Sequence, residues 1–383
     1  MERVAKKFVT PEAYEELISR RMYSHQGWLL LVPCRAGLEF ARNVKLEYER
    51  LLREHGSRYR EVPIAIGEYE NDSITKYFPD GELQSRLPLH VGGADAYVIQ
   101  CLHNKQLDKS PNDNLMELCV TIRGLKVNGA KRVTAVLPYL AYSRGHKPTY
   151  MKAEPTTAKL VADELAIAGC DAVIYYHPHA EELRGFFEPM RPIPVNGLDL
   201  AISVAREYRN REDVVAVATD VNGGRIIRHF AMGLGVDFAI TDKHRNEDGD
   251  LESMGILGKT KGKRLAIILE DETVSVRTLY NCAMHLREAG IEEIVMILSH
   301  MKADESAIPM LIDMHENLGV SQINFTDSVA PKQAILDLPF VRAYRLAERF
   351  AWLINHMFYE VSMSAPFWPN VDPPMFHDVP FNK

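Results

Sequence analysis

The 383-residue sequence is poor in cysteine, with Cys34, Cys101, Cys119, Cys170 and Cys282 scattered along it and no CxxC or Cys/His ligand spacing. An odd, dispersed set argues against a disulfide framework and for reduced thiols, as expected of a cytoplasmic protein. No stretch approaches the roughly 18 uninterrupted apolar residues of a spanning helix, so no membrane role is expected. The opening residues, MERVAKKFVTPEAYEEL, carry charge throughout and lack the apolar centre of a signal peptide. Positive charge is not in excess either: 45 Lys and Arg stand against 52 Asp and Glu. The formal net charge of -7 offers no global attraction to nucleic acid, and any phosphate site must be local. What is present is ordinary globular material, 46% hydrophobic and 25% charged, in a chain long enough for two domains.

Short apolar or β-branched runs alternate with amphipathic stretches, which predicts parallel sheets with right-handed crossovers. The first cycle places strands at 28–32, 96–100, 132–139 and 172–176, and helices at 36–55, 114–127 and 157–168, with Asp113 as the cap of the second helix. A second cycle follows Pro192-Ile193-Pro194. It places helices at 198–208, 226–232 and 279–289, and strands at 214–219, 237–241, 265–269 and 293–298. An aromatic-rich helix is expected at 340–359, and the similar rhythm of the two halves suggests an internal duplication without a close sequence repeat. The expected division is a polar helical extension (1–27), a first α/β domain (28–195), a second (196–340), a C-terminal helix (341–362) and a Pro-rich tail (363–383). Phe350, Trp352 and Phe358 suit either a subunit contact or a return of the last helix onto the first domain.

The stretch LAIILEDETVSVRT, 265–278, has the form of a buried strand running into an acidic pair, a hydroxyl-rich turn and a helix. In open α/β sheets ligands bind beyond the carboxyl ends of strands, where helix N-termini attract phosphate. There Glu270 and Asp271 suit two vicinal hydroxyls, while Ser275 and Thr278 suit a phosphate. His177-Pro178-His179 also follows a strand, and a histidine there can ligate a metal, touch phosphate or move a proton. Asp242-Lys243-His244-Arg245 opens a long polar loop, 245–253, whose two alternate cations suit closure over a transferring phosphoryl group. Arg144-Gly145-His146-Lys147 forms a basic loop, and the turn holding Phe78, Asp80 and Glu82 suits a nucleotide base. Each constellation also has a plain reading, as a solvated cap, a structural histidine or a charged surface.

Their joint order is more specific. FPDGEL, SPNDNLMEL, RVTAVLPYLAYSR, EPTTAKLVADEL, HPHAEELRGFF, the Asn222-Gly223-Gly224 turn, DKHR and the acidic strand end together resemble the ribose-phosphate pyrophosphokinase family, from about residue 28 to 362. The resemblance implies two phosphoribosyltransferase-type, doubly wound α/β domains with parallel sheets. It implies assembly as homo-oligomers, dimers or hexamers, and transfer of the β,γ-diphosphate of ATP to the anomeric hydroxyl of ribose 5-phosphate with magnesium. Carried over by position, Phe78, Asp80 and Glu82 would contact adenine, across a dimer interface, and Arg144 and His146 would lie at the ATP phosphates. His179 and Asp220 would serve the magnesium and phosphate site, and Lys243 and Arg245 would stabilise the transition state. Glu270, Asp271, Ser275, Arg277 and Thr278, with Gly223 and Gly224, would hold the sugar and its phosphate.

The departures are equally specific. His177 stands where the family has an aspartate, and Gly145-His146 replaces the usual Gln-Asp. Val221 falls where the metal-side aspartate belongs, so Asp220 serves only if the turn is reshaped. Val276 and Arg277 replace the two small residues that wrap a 5-phosphate. Three readings follow: an active kinase on ribose 5-phosphate, giving phosphoribosyl pyrophosphate and AMP; the same transfer onto a larger 5-substituted ribose such as ADP-ribose; or a non-catalytic nucleotide-binding relative.

Overall fold

Seven consecutive residues, GWLLLVP, are buried along the whole of one strand, which requires cover on both faces. The computed structural model, which describes residues 9–69, 72–104, 106–107, 109–149, 151–245 and 251–363, supplies that cover. The first half of the chain runs α1 (Pro11–Ser19), β1 (Tyr23–Ser24), β2 (Gly27–Pro33), α2 (Leu38–Glu54), β3 (Thr75–Tyr77) and β4 (Leu83–Ser85). It continues with β5 (Ala94–Ile99), α3 (Pro111–Val127), β6 (Arg132–Leu137), α4 (Thr157–Ala168), β7 (Ala172–Tyr176) and β8 (Arg191–Val195). These strands form a six-stranded sheet in the order β1-β2-β5-β6-β7-β8, parallel except for β1, and a separate β3-β4 hairpin. Alternate residues serve opposite faces. Leu30, Val32, Ala96 and Val98 pack with Leu118 and Ile122 of α3 and Val161 and Leu165 of α4. Leu29, Leu31, Tyr97 and Ile99 pack with Phe40 and Val44 of α2.

The second half runs α5 (Leu198–Val204), β9 (Val214–Ala218), α6 (Gly224–Leu234), β10 (Asp237–Arg245), β11 (Leu251–Gly258), β12 (Leu265–Thr273) and α7 (Arg277–Glu288). It ends with β13 (Glu293–Met301), α8 (Ile308–Asn317), β14 (Val320–Thr326), α9 (Gln333–Leu336), β15 (Val341–Tyr344) and α10 (Ala347–Phe358). The seven-stranded sheet has the order β11-β10-β9-β12-β13-β14-β15, parallel except for the β10/β11 pair. From β9 the chain steps outward one way through β10, and from β12 the other way through β15. The order therefore reverses between β9 and β12, the position at which open α/β sheets bind ligands.

Several elements differ from the sequence reading. The cap of α3 is Ser110 rather than Asp113: the Asp113 amide donates to Ser110 Oγ, and Ser110 N–H donates to Asp113 Oδ2 at 2.8 Å, a capping box. Asp242 to Arg245 is not the start of a loop but the end of β10, paired antiparallel with β11 from Leu251 onward. Strand β12 continues past its apolar run to Thr273 because β13 is equally long, Glu272 lying opposite His300 and Thr273 opposite Met301. Residues 341–344 are an edge strand on β14, and the last helix begins only at Ala347. That helix returns onto the first sheet, where Phe350 and Phe358 are fully buried and the Phe40 and Phe350 rings meet edge to face at 5.2 Å.

Candidate active site

The ends of β9 and β12 meet at the point where strand order reverses. Ala218 pairs with Leu269, so the next residues, Thr219 and Glu270, face one another, and the Thr219 hydroxyl donates to Glu270 Oε2. Asp220 follows, its Oδ1 accepting the Gly223 N–H at 3.0 Å, and α6 begins at Gly224. A Cβ at Gly223 would stand 3.0 Å from the Ala218 Cβ, and one at Gly224 the same distance from Ile240 Cδ1, so a side chain at either would press on its neighbour in this close turn. The N-terminus of α6 thus flanks a cleft of about 520 Å³ lined by His177, His179, Thr219, Asp220, Glu270 and Asp271 among others. Helix α7 follows β12, starting after Val276.

The acidic pair is electrically split. Burial, then the hydrogen bond and charge of Asp271, push the Glu270 carboxyl up to about 8. Burial acts to raise Asp271 as well, but hydrogen bonds with His179 and Glu270, and the electrostatic influence of the neighbouring histidines, outweigh it and hold Asp271 well below the usual carboxylate range. His179 belongs to the first sheet, just beyond β7, and its Nδ1 lies 2.5 Å from Asp271 Oδ2. The His146 ring, from the loop after β6, stands 5.6 Å from that of His179.

Further residues complete the junction, of which Glu272, Tyr139, Ser299, His300 and Lys302 were given no role by the sequence. Glu272 is buried and accepts Lys302 Nζ at 2.5 Å and the Tyr139 hydroxyl at 3.2 Å, while Arg144 pairs with its other oxygen. His177, buried and depressed in pKa by that burial, pairs with Ser299 and accepts the His300 Nε2–H on its carbonyl at 3.0 Å. Lys302 and His300 sit at the carboxyl end of β13, and Tyr139 just beyond β6. Their only sequence signal is polar residues, SHMK, directly after an apolar strand.

Other expected residues lie elsewhere. The turn of Phe78, Asp80 and Glu82 tips the β3-β4 hairpin, where Phe78 N–H donates to the Glu82 carbonyl at 2.7 Å and the ring is exposed. None of the three is among the residues that line the cleft. Lys243 and Arg245 are backbone positions of β10; their side chains lie outside the described residues. Ser275 and Arg277 are exposed and Thr278 half-buried, at the entry to α7. Val276 takes the left-handed conformation, φ 53° and ψ -2°, with its side chain fully buried. Among the described residues no group of three or more His, Cys, Asp and Glu side chains is arranged to hold a metal ion.

Comparison with known proteins gives this arrangement a context. The profile of the N-terminal domain of ribose phosphate pyrophosphokinase matches residues 55–169. A ribose-phosphate pyrophosphokinase of Thermosipho africanus is 32% identical over 283 residues, covering 72% of this chain and 85% of that protein. The chain belongs to the ribose-phosphate pyrophosphokinase family. It is accordingly an enzyme, an ATP-dependent transferase of that type. The enzyme of that name from Mesorhizobium japonicum is 30% identical over 83% of this chain and 97% of its own length. Among solved structures, phosphoribosylpyrophosphate synthetase from Mycobacterium smegmatis superposes with a TM-score of 0.73 at 27% identity, covering 87% of this chain and 99% of the other. The two-sheet architecture with parallel strands is therefore that of the family.

Proposed function

We propose that the protein transfers the β,γ-diphosphate of ATP to the 1-hydroxyl of ribose 5-phosphate, forming phosphoribosyl pyrophosphate and AMP. The observation that carries the reading is the meeting of His179, from the first sheet, with Asp271, from the second, at 2.5 Å, directly over the cleft where strand order reverses. Each half brings one substrate. The first brings Arg144 and His146 for the ATP phosphates. The second brings the α7 entry, Ser275 to Thr278, for the 5-phosphate, and the acidic pair for the ribose hydroxyls.

Diphosphate transfer asks for alignment and charge neutralisation rather than a covalent protein intermediate. His179 lines the cleft and is held by Asp271 through Nδ1, which leaves its second ring nitrogen for a phosphate or a proton. Glu270, largely protonated at neutral pH, can both donate to and accept from a sugar hydroxyl. Lys243 and Arg245 are read as cations that meet the diphosphate as it moves. Magnesium fits this donor set, since it takes few protein oxygens and keeps its other positions for phosphate and water; Asp220 would hold it, and it would neutralise charge on the diphosphate.

Incubation with ATP and magnesium plus either ribose 5-phosphate or ADP-ribose, with AMP and the pyrophosphorylated sugar followed by chromatography, tests the reading. AMP should accumulate with ribose 5-phosphate. Product with ADP-ribose alone would overturn the acceptor and leave the transfer standing; AMP with neither would sink both.

A further inference from the structure

Glu272 is the carboxylate through which the two halves and both substrate loops meet. Its side chain is 2% exposed. Lys302, 7% exposed, donates to Oε2 at 2.5 Å and to the Tyr139 hydroxyl at 2.9 Å. Arg144 reaches Oε1 through its Nε, yet its own side chain is 56% exposed. One buried negative charge therefore carries two cations of unequal standing. Lys302 suffices to neutralise it, and taking Lys302 away would strand a buried carboxylate. Taking Arg144 away strands nothing, because the arginine is largely in water. Arg144 is the exchangeable member of the group.

The same carboxylate is tied to the acceptor side by its backbone. Glu272 N–H donates to Asp271 Oδ1 at 2.8 Å, and Lys302 N–H donates to the Thr273 carbonyl at 2.8 Å. We propose that Glu272 is a positioning residue that parks Arg144 at the junction and yields it to the phosphates of ATP, so that Glu272 competes with ATP for one guanidinium. This rests on the reading of Arg144 as an ATP contact. The exchange is downhill because a polyphosphate offers a guanidinium paired, fully charged oxygens, whereas Glu272 is already neutralised by Lys302.

The test is a double-mutant cycle read as the Kd of α,β-methylene ATP with magnesium and no acceptor. Glu272→Gln keeps the size and the Tyr139 contact and removes the charge. It should tighten the analogue about fivefold when Arg144 is present and leave it unchanged in an Arg144→Ala background. Arg144→Ala alone should weaken binding by about tenfold or more. A Glu272→Gln change that weakens binding, leaves it unaltered, or shifts it equally in both backgrounds overturns the proposal. If Arg144→Ala leaves the Kd unchanged, the ATP assignment of Arg144 fails and takes the proposal with it, an outcome distinct from absent coupling. Should Glu272→Gln fail to fold because Lys302 loses its anion, the pair Glu272→Gln with Lys302→Gln runs the same cycle, with the same expected tightening.

Discussion

At Glu270 and Asp271, adjacent carboxyls of the same chemistry are driven apart by what surrounds them. Asp271 has His179; Glu270 has Thr219 on one side and the Asp271 charge on the other. A carboxyl raised to about 8 in the folded protein, against 4.5 ordinarily, keeps its proton on folding. The folded state then holds more protons than the unfolded chain between those values, so this group makes stability fall as pH rises through about 4.5 to 8. Glu270→Gln should remove that component. We expect the gap in Tm between variant and parent to widen in the variant's favour from pH 5 to pH 8; a constant gap would contradict the raised pKa. Of this cleft, the sequence disclosed the residue types and their neighbours in the chain. It could not disclose which carboxyl is ionised, because that depends on a histidine 92 positions away.

Among the elements, the entry to α7 shows how a departure in sequence need not be a departure in backbone. Val276 stands where a small residue suits the turn, and the turn is kept: φ is 53°, a conformation that works against a β-branched side chain by about 1–2 kcal/mol. Burial of the valine offsets this by a similar amount, about 1.5–3 kcal/mol. Val276→Gly should therefore lose at most about 2 kcal/mol, the strain relief cancelling much of the lost burial. Val276→Ala should lose more, since alanine keeps the strain without the contact. Urea unfolding of both variants checks the order, and alanine proving the milder change would refute it. The β10/β11 hairpin is the second such element. The unbroken polar run Asp242 to Arg245 has the composition of a loop, and only its pairing with β11 makes it the end of a strand. The hairpin carries Lys243 and Arg245 two residues apart along β10, with a register irregularity between His244 and Arg245. Lys243→Ala should leave ATP affinity near that of the parent and lower turnover by about 10³, as removal of a transition-state cation does. Isothermal titration beside a steady-state assay separates the two, and unaltered turnover would remove Lys243 from the mechanism.

The whole molecule is joined at places no local pattern marks. Helix α10, last among the described residues, covers the first sheet beside α2, and Arg349 on it pairs with Asp199 of α5 at 2.5 Å, both side chains nearly inaccessible. Asn355 Nδ2 donates to the Tyr48 hydroxyl at 2.8 Å, and Arg132 Nη2 to the Met357 carbonyl at 3.1 Å. Breaking a buried pair from one side leaves an uncompensated charge. Arg349→Met should thus destabilise by about 3–5 kcal/mol, and adding Asp199→Leu should recover much of the loss. Chemical denaturation measures both; a double variant no better than the single would show that the arginine acts through packing alone.

The sequence by itself determined the alternation of strands and helices, the two similar halves, the family, and the residues that edge the acidic strand, because side-chain period and turn chemistry are local properties of the chain. Only the tertiary structure decided how the carboxyl ends of the two sheets face one another. It brought Tyr139 to Glu272 across 133 positions and His177 to Ser299 across 122, and it made Glu272 a shared anion and Val276 a left-handed residue. Those outcomes depend on register, burial and the approach of distant charges, and burial fixes the protonation of a carboxyl or a histidine only once its neighbours from the other half are in place.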